Sequence, residues 1–298
     1  MESGTKTSAA CIGMSFDVRP KGISCFRVAL LLAIAFRGGE TQGDNYAVLA
    51  LGSLTGRIIG GVTSGAVNDV GGIAFPYTVS LRRRSDLGYF CTGVLIGNRH
   101  VLTAAHCVDS SITSGESRPQ VVVGTPSSSA TSGNGVQVIS TQNLYIHPDY
   151  KANRSPDLAI LELSGGANEA PVRIPTSADF HPKNGKLLFS LGWGRQGFRA
   201  RNAETIQIAA VPFINLRRCE AKLGKPVFPH QICMGGHGPG SCPGDDGGPI
   251  VLPGNTRADD VLVGIVGSSH VCGKSTKPDV HTSVAPYIDW IKSNAGIP

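Results

Sequence analysis

Short apolar or alternating runs, separated by turn-forming residues, recur along this chain from Arg57 onward. Each run is a few residues long, which is typical of β-strands rather than of helices. Turn clusters such as Asp109–Gly115 and Thr125–Gly135 separate them. Strands at this spacing predict an all-β sandwich or barrel. The runs are Tyr77–Leu81, Thr92–Ile96, Gln120–Val123, Leu158–Leu163, Lys186–Leu191, Ile206–Val211, Ile250–Leu252 and Val261–Val266.

Only the carboxyl end of the sequence predicts a helix. Pro286 can open it, and Tyr287, Ile288 and Ile291 then share one face, with Trp290 alongside. The 39 glycines and 19 prolines among 298 residues also favour a loop-rich β protein over a helical bundle. The net charge of +6 is too small to indicate nucleic-acid binding by itself.

The amino terminus has the pattern of a secretory leader. Val28–Phe36 is an uninterrupted apolar run after a basic stretch, and it is shorter than the roughly 20 residues that a membrane span needs. Ala33 and Ala35 give a small-x-small pattern, which predicts cleavage after Ala35 and a leader of residues 1–35. Met14 is an alternative start, and a mis-assigned or untranslated leader is the alternative to secretion. We expect a secreted, extracellular protein.

The cysteines agree with an oxidising compartment. Cys11 and Cys25 would leave with the leader, and an even number remains in the rest of the chain. An even set in a secreted protein predicts a disulfide framework, although the count alone leaves the pairing open. The remaining cysteines are Cys91, Cys107, Cys219, Cys233, Cys242 and Cys272.

Five sequence blocks then occur in a fixed order. They are Arg57-Ile58-Ile59-Gly60-Gly61, Thr103-Ala104-Ala105-His106-Cys107, Asp157-Leu158-Ala159-Ile160, Gly192-Trp193-Gly194 and Cys242-Pro243-Gly244-Asp245-Asp246-Gly247-Gly248-Pro249. In this order the set closely resembles the trypsin/chymotrypsin family of serine proteases, over Ile58 to the carboxyl end. The resemblance implies two packed six-stranded antiparallel β-barrels with a C-terminal helix, residues 58–298, after a propeptide of residues 36–57. It also implies the pairings Cys91–Cys107, Cys219–Cys233 and Cys242–Cys272.

The resemblance assigns roles to the motif residues. His106 would be the general base, and Asp157 would orient its ring and stabilise the imidazolium. The backbone N–H groups of Gly244 and of residue 246 would form the oxyanion hole. Cutting after Arg57 would free an Ile58 ammonium that pairs with Asp245, as in zymogen activation.

The departure from the family pattern lies at the nucleophile, where Asp246 replaces serine. A carboxylate that attacks an amide gives a mixed anhydride and expels a poor leaving group, which is strongly uphill. Its negative charge would also repel the oxyanion that the site has to stabilise. We therefore expect an inactive protease scaffold in which His106 and Asp246 form an ion pair. A sequencing error, or an allele with serine at this position, is the alternative.

The specificity pocket is altered as well. The resemblance places Gly240, Ser269 and Asp279 around it, with Gly240 where an acid would select arginine or lysine. Asp279 replaces a glycine of the same floor and could receive a basic side chain from the opposite wall; pairing with a nearby lysine or with solvent is the alternative. The stretch Gly267–Cys272 lacks the tryptophan and both glycines of the family's Ser-Trp-Gly-x-Gly-Cys, which remodels the cleft wall.

Three functions remain open. The first is a secreted, non-catalytic homologue that binds a protein as inhibitor, decoy or cofactor. Within this class the chain resembles the glucanase inhibitor proteins of oomycete plant pathogens, most closely at Asp259–Gly264. The second is an active trypsin-like endopeptidase that cleaves after basic residues, and the third is a protein with no selected role. We expect no cofactor, no metal, no nucleic acid and no membrane partner, and a monomer; the histidines lack zinc-ligand spacing.

Overall fold

The structure of the protein, a computed structural model, describes residues 62–63, 75–111, 113, 117–151, 156–197, 199–236, 240–267, 272 and 276–298. The predicted leader, propeptide and activation junction lie outside these residues. All described residues belong to one compact unit, which spans Gly43–Pro298. Its strands are β1 (Val62–Thr63), β2 (Thr78–Arg82), β3 (Tyr89–Gly97), β4 (His100–Thr103), β5 (Gln120–Val123), β6 (Gln137–Ile146), β7 (Ala159–Leu163), β8 (Leu187–Gly192), β9 (Gln207–Ile214), β10 (Gln231–Gly235), β11 (Pro249–Leu252), β12 (Val261–Ile265) and β13 (Pro278–Ser283).

The strands form two six-stranded antiparallel barrels. The first closes in the order β2-β3-β4-β7-β6-β5, and the second in the order β9-β10-β13-β12-β11-β8, with β8 pairing back to β9. Strand β1 adds to the edge of the second barrel, where Val62 lies opposite Ile208. The predicted all-β fold of two six-stranded barrels is confirmed.

All eight predicted strands are present, with ends shifted by a few residues. Four strands that the sequence did not single out complete the barrels: β4, β6, β10 and β13. Strand β6 illustrates the reason, because most of its residues are polar or only partly buried, so its pattern lacks a continuous apolar face. Such a strand is held by its neighbours β5 and β7 rather than by its own hydrophobicity.

The described residues contain two α-helices, one more than predicted. The C-terminal helix is confirmed as α2 (Ile288–Ala295), preceded by a 3-10 turn at Ala285–Tyr287. The expectation of a helix only at the carboxyl end was wrong, because α1 (Leu216–Leu223) lies between β9 and β10. Asn215 caps α1 by accepting a hydrogen bond from the Arg218 N–H, and Gly224 ends it in the left-handed conformation. None of the helices in the described ranges is long and apolar enough to cross a membrane.

The two barrels are joined by a buried polar contact. The Tyr77 hydroxyl, next to β2, donates a 2.7 Å hydrogen bond to Asp260 Oδ2, next to β12. Asp260 is fully buried and also accepts from the Gly254 N–H at 2.9 Å, so both carboxylate oxygens have donors. Arg257 lies over the Phe75 ring and within 3.3 Å of the same carboxylate. The barrels therefore meet through a satisfied network rather than through apolar packing alone.

Candidate active site

His106 and Asp157 are brought together by the pairing of β4 with β7. Thr103, the last residue of β4, lies opposite Ala159, the first residue of β7, so the segments beyond these ends adjoin. His106 sits in the 3-10 turn Ala105–Cys107 that follows β4. Its backbone N–H donates to Asp157 Oδ1 at 2.9 Å, and its ring Nδ1 lies 2.6 Å from Oδ2. The carboxylate can only accept, so Nδ1 carries the proton and Nε2 faces away from Asp157.

Asp246 comes from the other barrel, on the loop that leads into β11. The backbone N–H of Thr92, in β3, donates to the Asp246 carbonyl at 2.8 Å, which ties this loop to the first barrel. Gly247 allows the close approach. It has a φ of 78°, and a Cβ on it would lie 2.3 Å from the Thr92 carbonyl oxygen. The backbone here thus depends on glycine.

The Asp246 carboxylate occupies the space between the oxyanion loop and the histidine. Its Oδ2 accepts a 2.9 Å hydrogen bond from the Gly244 N–H, the donor that the sequence assigns to the oxyanion hole. Its Oδ1 lies 4.0 Å from His106 Nε2, the distance of an ion pair rather than of a hydrogen bond. The side chain of Asp246 therefore contacts both the predicted oxyanion donor and the predicted general base.

Tyr89 contacts the backbone of the loop that carries Gly244. It was not predicted as a site residue. Its hydroxyl donates to the Gly244 carbonyl oxygen and lies 2.6 Å from Thr92 Oγ1. Its ring packs edge-on against Trp193 at 5.8 Å. Holding the Gly244 carbonyl fixes the position of that residue, whose N–H contacts Asp246. Tyr89 and Gly244 are 155 positions apart in the chain, so no local pattern connects them.

The predicted specificity pocket is only partly described. Gly240 and Ser241 are buried, and Asp279 is partly buried at the start of β13, whereas Ser269 lies outside the described residues. His281, two residues after Asp279, is buried. Its Nδ1 accepts from the Gly267 N–H and its Nε2 lies 3.3 Å from Ser241 Oγ, so it joins the two walls. The sequence showed His281 beside Asp279 but gave it no role.

The six cysteines form three disulfides, Cys91–Cys107, Cys219–Cys233 and Cys242–Cys272. The first ties β3 to the turn that carries His106. The third holds the start of the loop that carries Asp246. Two of the three bridges therefore brace the segments that form the cleft.

Comparison with known proteins identifies the family. The family model described as Trypsin matches residues 67–291, about three quarters of the chain. The chain belongs to the trypsin family. The chymotrypsin-like elastase family member 1 of Bos taurus is 32% identical over 252 residues, which cover 80% of this chain and 89% of the elastase.

Other relatives of this trypsin-family chain are named for different functions. Glucanase inhibitor protein 3 of Phytophthora sojae (strain P6497) is 34% identical over 225 residues, which cover 73% of this chain and 83% of the inhibitor. The venom peptide isomerase heavy chain of Agelenopsis aperta is 28% identical over 237 residues, 74% of this chain and 95% of the isomerase chain. Membership of the trypsin family is therefore compatible with more than one function, and the geometry of the site is needed to distinguish between these functions.

The electrostatics of the cleft favour a charged His106. Burial lowers the pKa of His106, but the hydrogen bond and charge of Asp157 and the charge of Asp246 together outweigh it, so the pKa is raised. The imidazolium is thus held between two carboxylates. A general base has to be neutral before it can accept a proton, so this environment weakens His106 as a base near neutral pH.

Asp245 is a buried acid in an unfavourable position. Burial raises its pKa to about 7, although the N–H groups of Cys242 and Gly194 donate to it at 2.8 Å and oppose this rise. The charge of Asp246 raises it further. No lysine, arginine or histidine in the described ranges lies within ion-pair distance of Asp245. Ile58, its predicted partner, lies outside the described residues.

The pocket groups are shifted toward their neutral forms. Burial raises the pKa of Asp279 to about 6 and lowers the pKa of His281 to about 4. His281 is therefore neutral at pH 7, and its Nε2–H donates to Ser241. Asp279 is largely ionised at pH 7, and a cation beside it would be stabilised.

One cluster in the described part of the chain has the composition of a metal site. Cys91, His106 and Cys107 place their ligand atoms within 4.8 Å of one another. The two sulfurs form a disulfide, however, so they offer no thiolate to a metal ion. The cluster is explained by the disulfide bridge beside His106.

Proposed function

We propose that this protein is a secreted trypsin-family homologue without peptidase activity, which acts by binding a protein partner as inhibitor, decoy or cofactor. The observation that carries the proposal is the Asp246 carboxylate. It accepts from the Gly244 N–H at 2.9 Å and lies 4.0 Å from His106 Nε2. The two-barrel fold of the family is kept, but the side chain of residue 246 occupies the predicted reactive centre.

Three steps of peptide hydrolysis fail in such a site. The carboxylate of residue 246 has no proton for His106 to remove. If it attacked the substrate, the tetrahedral adduct would expel the carboxylate faster than the amine, because the carboxylate is the better leaving group. The Gly244 N–H is already bonded, so one donor for the tetrahedral oxyanion is missing. Loss of the nucleophile alone costs roughly 10⁶-fold in turnover in comparable triads, and loss of one oxyanion donor costs about 10²- to 10³-fold.

Binding remains available to a cleft that cannot cut. The partly buried Asp279 lies within the predicted pocket, and its carboxylate would stabilise a lysine or arginine side chain inserted by a partner. The similarity to glucanase inhibitor protein 3 supports an inhibitor in particular. The finer form of the proposal is a pathogen effector that inhibits a host glucanase.

Secretion and processing belong to the same proposal. A leader of residues 1–35 and a propeptide of residues 36–57 would precede the domain, and cleavage after Arg57 would expose the Ile58 ammonium. The three disulfides and the buried Asp245, which has no cationic partner among the described residues, support this, because an ammonium beside that carboxylate would restore its charge.

Peptidase activity is tested directly on the form that begins at Ile58. Hydrolysis of arginine and lysine peptide esters and labelling by a serine-directed phosphonate are measured for the wild type, Asp246→Ser and Asp246→Asn. We expect no turnover and no labelling for the wild type or for Asp246→Asn. Turnover by the wild type would refute the proposal.

Asp246→Ser separates two causes of inactivity. Turnover by this variant would show that only the nucleophile is missing. Absence of turnover would indicate that the altered pocket and cleft wall also prevent catalysis. The active endopeptidase remains the second candidate, since the His106–Asp157 pair has the geometry of a working base. Pull-down from candidate fluids, followed by inhibition assays on purified glucanases, then tests the partner.

A further inference from the structure

Phe228 is the most exposed of the large hydrophobic residues in the described part of the chain, with 54% of its surface accessible. It lies in the turn between α1 and β10, far in sequence from the catalytic motifs. Its ring stacks on that of His230 with centroids 5.4 Å apart and planes 6° from parallel. Burial lowers the pKa of His230, so the stacked pair is uncharged at neutral pH. Together the two rings present a flat aromatic surface to solvent.

The turn that carries Phe228 is held in place. The Phe228 N–H donates to the side-chain oxygen of Gln231 at 3.0 Å, and the Gln231 N–H donates back to the Phe228 carbonyl at 2.9 Å. The Ser283 N–H donates to the His230 carbonyl, which attaches the turn to β13. The exposed ring is therefore pre-organised, and ordering it on binding costs little entropy.

Helix α1 presents positive charge beside this turn. Arg217, Arg218, Lys222 and Lys225 are all exposed, and none of them forms an ion pair with a described residue. Arg218 and Lys222 are four residues apart and share one helical face. The nearby acid, Glu220, is engaged by the Val227 N–H, which donates to its Oε1 at 3.0 Å.

The opposite side of α1 is fixed to the barrel. Cys219 is fully buried and bonded to Cys233 of β10, and Leu216 and Leu223 pack against the same small core with Val227. The basic side chains therefore project from a rigid support. The disulfide, the shared core and the Val227–Glu220 hydrogen bond all connect the turn to α1 and to β10.

We infer that α1 and the turn after it form a docking surface for a protein partner that carries an acidic patch beside an apolar recess. The four cations would face the acids, and Phe228 would enter the recess. This inference rests on the proposed function, since it gives the binding protein a surface formed by α1 and the turn after it. A rigid aromatic residue next to arginines is the composition of a protein-binding hot spot.

The composition favours a protein over the other acidic partners. Four cations and one exposed aromatic ring give a small surface, whereas a nucleic-acid groove usually extends along a basic stripe with several phosphate contacts. A membrane-binding helix would need a broad apolar face, and the apolar face of α1 is packed against the barrel. Charge complementarity and a single anchor thus point to a folded or peptide partner.

The test uses selection from a library of random peptides against the full chain. We expect enrichment of acidic peptides that contain a large apolar residue, with affinity that falls as salt rises. Charge reversal in Arg218→Glu/Lys222→Glu and removal of the ring in Phe228→Ala should each weaken the selected peptides by roughly tenfold or more. All of these side chains are exposed, so the variants should fold.

Two matched controls separate this surface from general charge and general apolarity. Arg195→Glu/Arg201→Glu makes the same charge change at other exposed positions, and Leu187→Ala removes another exposed apolar side chain, 42% accessible. Neither should change peptide binding. Equal weakening by the controls, selection of peptides without acidic residues, or no selection at all would overturn the inference.

Duplex DNA and phosphatidylserine vesicles are measured beside the peptides. Binding to either that matches the best peptides and ignores Phe228→Ala would overturn the inference in favour of a general polyanion surface. None of these outcomes depends on the peptidase assays, so failure of the docking surface and failure of the proposed function are distinguishable.

Discussion

Replacing Asp246 by asparagine removes one negative charge from the cleft and leaves the shape of the side chain almost unchanged. The asparagine oxygen can still accept the hydrogen bond that the Gly244 N–H donates to Asp246 Oδ2. Asp157 still holds the other side of the His106 ring at 2.6 Å. The variant therefore isolates the charge–charge interaction between residue 246 and His106.

The size of that interaction follows from the distance of 4.0 Å between Asp246 Oδ1 and His106 Nε2. Two unit charges at this separation attract by about 1 kcal/mol in water and by about 4 kcal/mol at the effective dielectric constant of a protein surface. The two side chains are 19% and 18% exposed, so the value should lie between these limits. We expect Asp246→Asn to lower the pKa of His106 by the amount that this free energy corresponds to, at about 1.4 kcal/mol for each pKa unit.

The same interaction gives the folded protein a pH dependence. The pKa of His106 is raised above its ordinary value of 6.5, so the stabilisation is complete below that pH and is lost as pH rises through the raised pKa. Near pH 6 the wild type should exceed Asp246→Asn in unfolding free energy by at least about 1 kcal/mol. The difference should shrink or reverse near pH 9, where the variant also relieves the repulsion between Asp245 and Asp246.

NMR titration of isotope-labelled histidines measures the effect, and a His106→Gln variant assigns the signal. His147 and His230 provide internal references, because neither is coupled to Asp246. Urea denaturation at the two pH values gives the matching free energies. Superimposable His106 titration curves for wild type and Asp246→Asn would refute the ion pair, and with it the blocked general base.

Two further predictions concern buried carboxyl groups. In the uncleaved chain the unfolding free energy should decrease as pH rises from about 4 to about 7. The reason is that folding raises the pKa of Asp245 from 3.8 to about 7, so in this range the native state holds a proton that the unfolded state has lost. Asp245→Asn should reduce this slope in urea denaturation and leave the part due to Asp279, whose pKa burial raises to about 6; a slope equal to that of the wild type would contradict the assignment. Tyr77→Phe removes the 2.7 Å hydrogen bond to the buried Asp260 and should cost about 1 to 3 kcal/mol in unfolding free energy. Tyr145→Phe, whose partly exposed hydroxyl bonds Glu162, is the control and should change little; equal effects would argue against a special role of the contact between barrels.

Much of the fold could be predicted because its signals are local. The eight apolar runs became strands, and the five motifs identified the family and the position of the altered nucleophile. The missed elements had weaker local signals. Half of the residues of β6 are polar, and α1 is only eight residues long, so the boundary residues Asn215 and Gly224 were the main signals of that helix.

The candidate site could be predicted as a set of residues but not as an arrangement. Tyr89 carries no motif, and its contact with the Gly244 carbonyl depends on the packing of one barrel against the other. His281 was visible two residues after Asp279, yet its contacts with Gly267 and Ser241 depend on strand β13 meeting two loops in the folded chain. Such contacts join residues far apart in sequence, so they cannot be predicted from a local sequence pattern.

The sequence by itself determined the family, the two barrels and the absence of a serine at position 246, because strand periodicity and motifs depend on residues that are close together in the sequence. Only the tertiary structure decided what Asp246 does. Its two carboxylate oxygens engage the Gly244 N–H and approach His106 across the cleft. The physical reason is that charge and hydrogen bonding act through distance, and those distances exist only after the barrels have packed together.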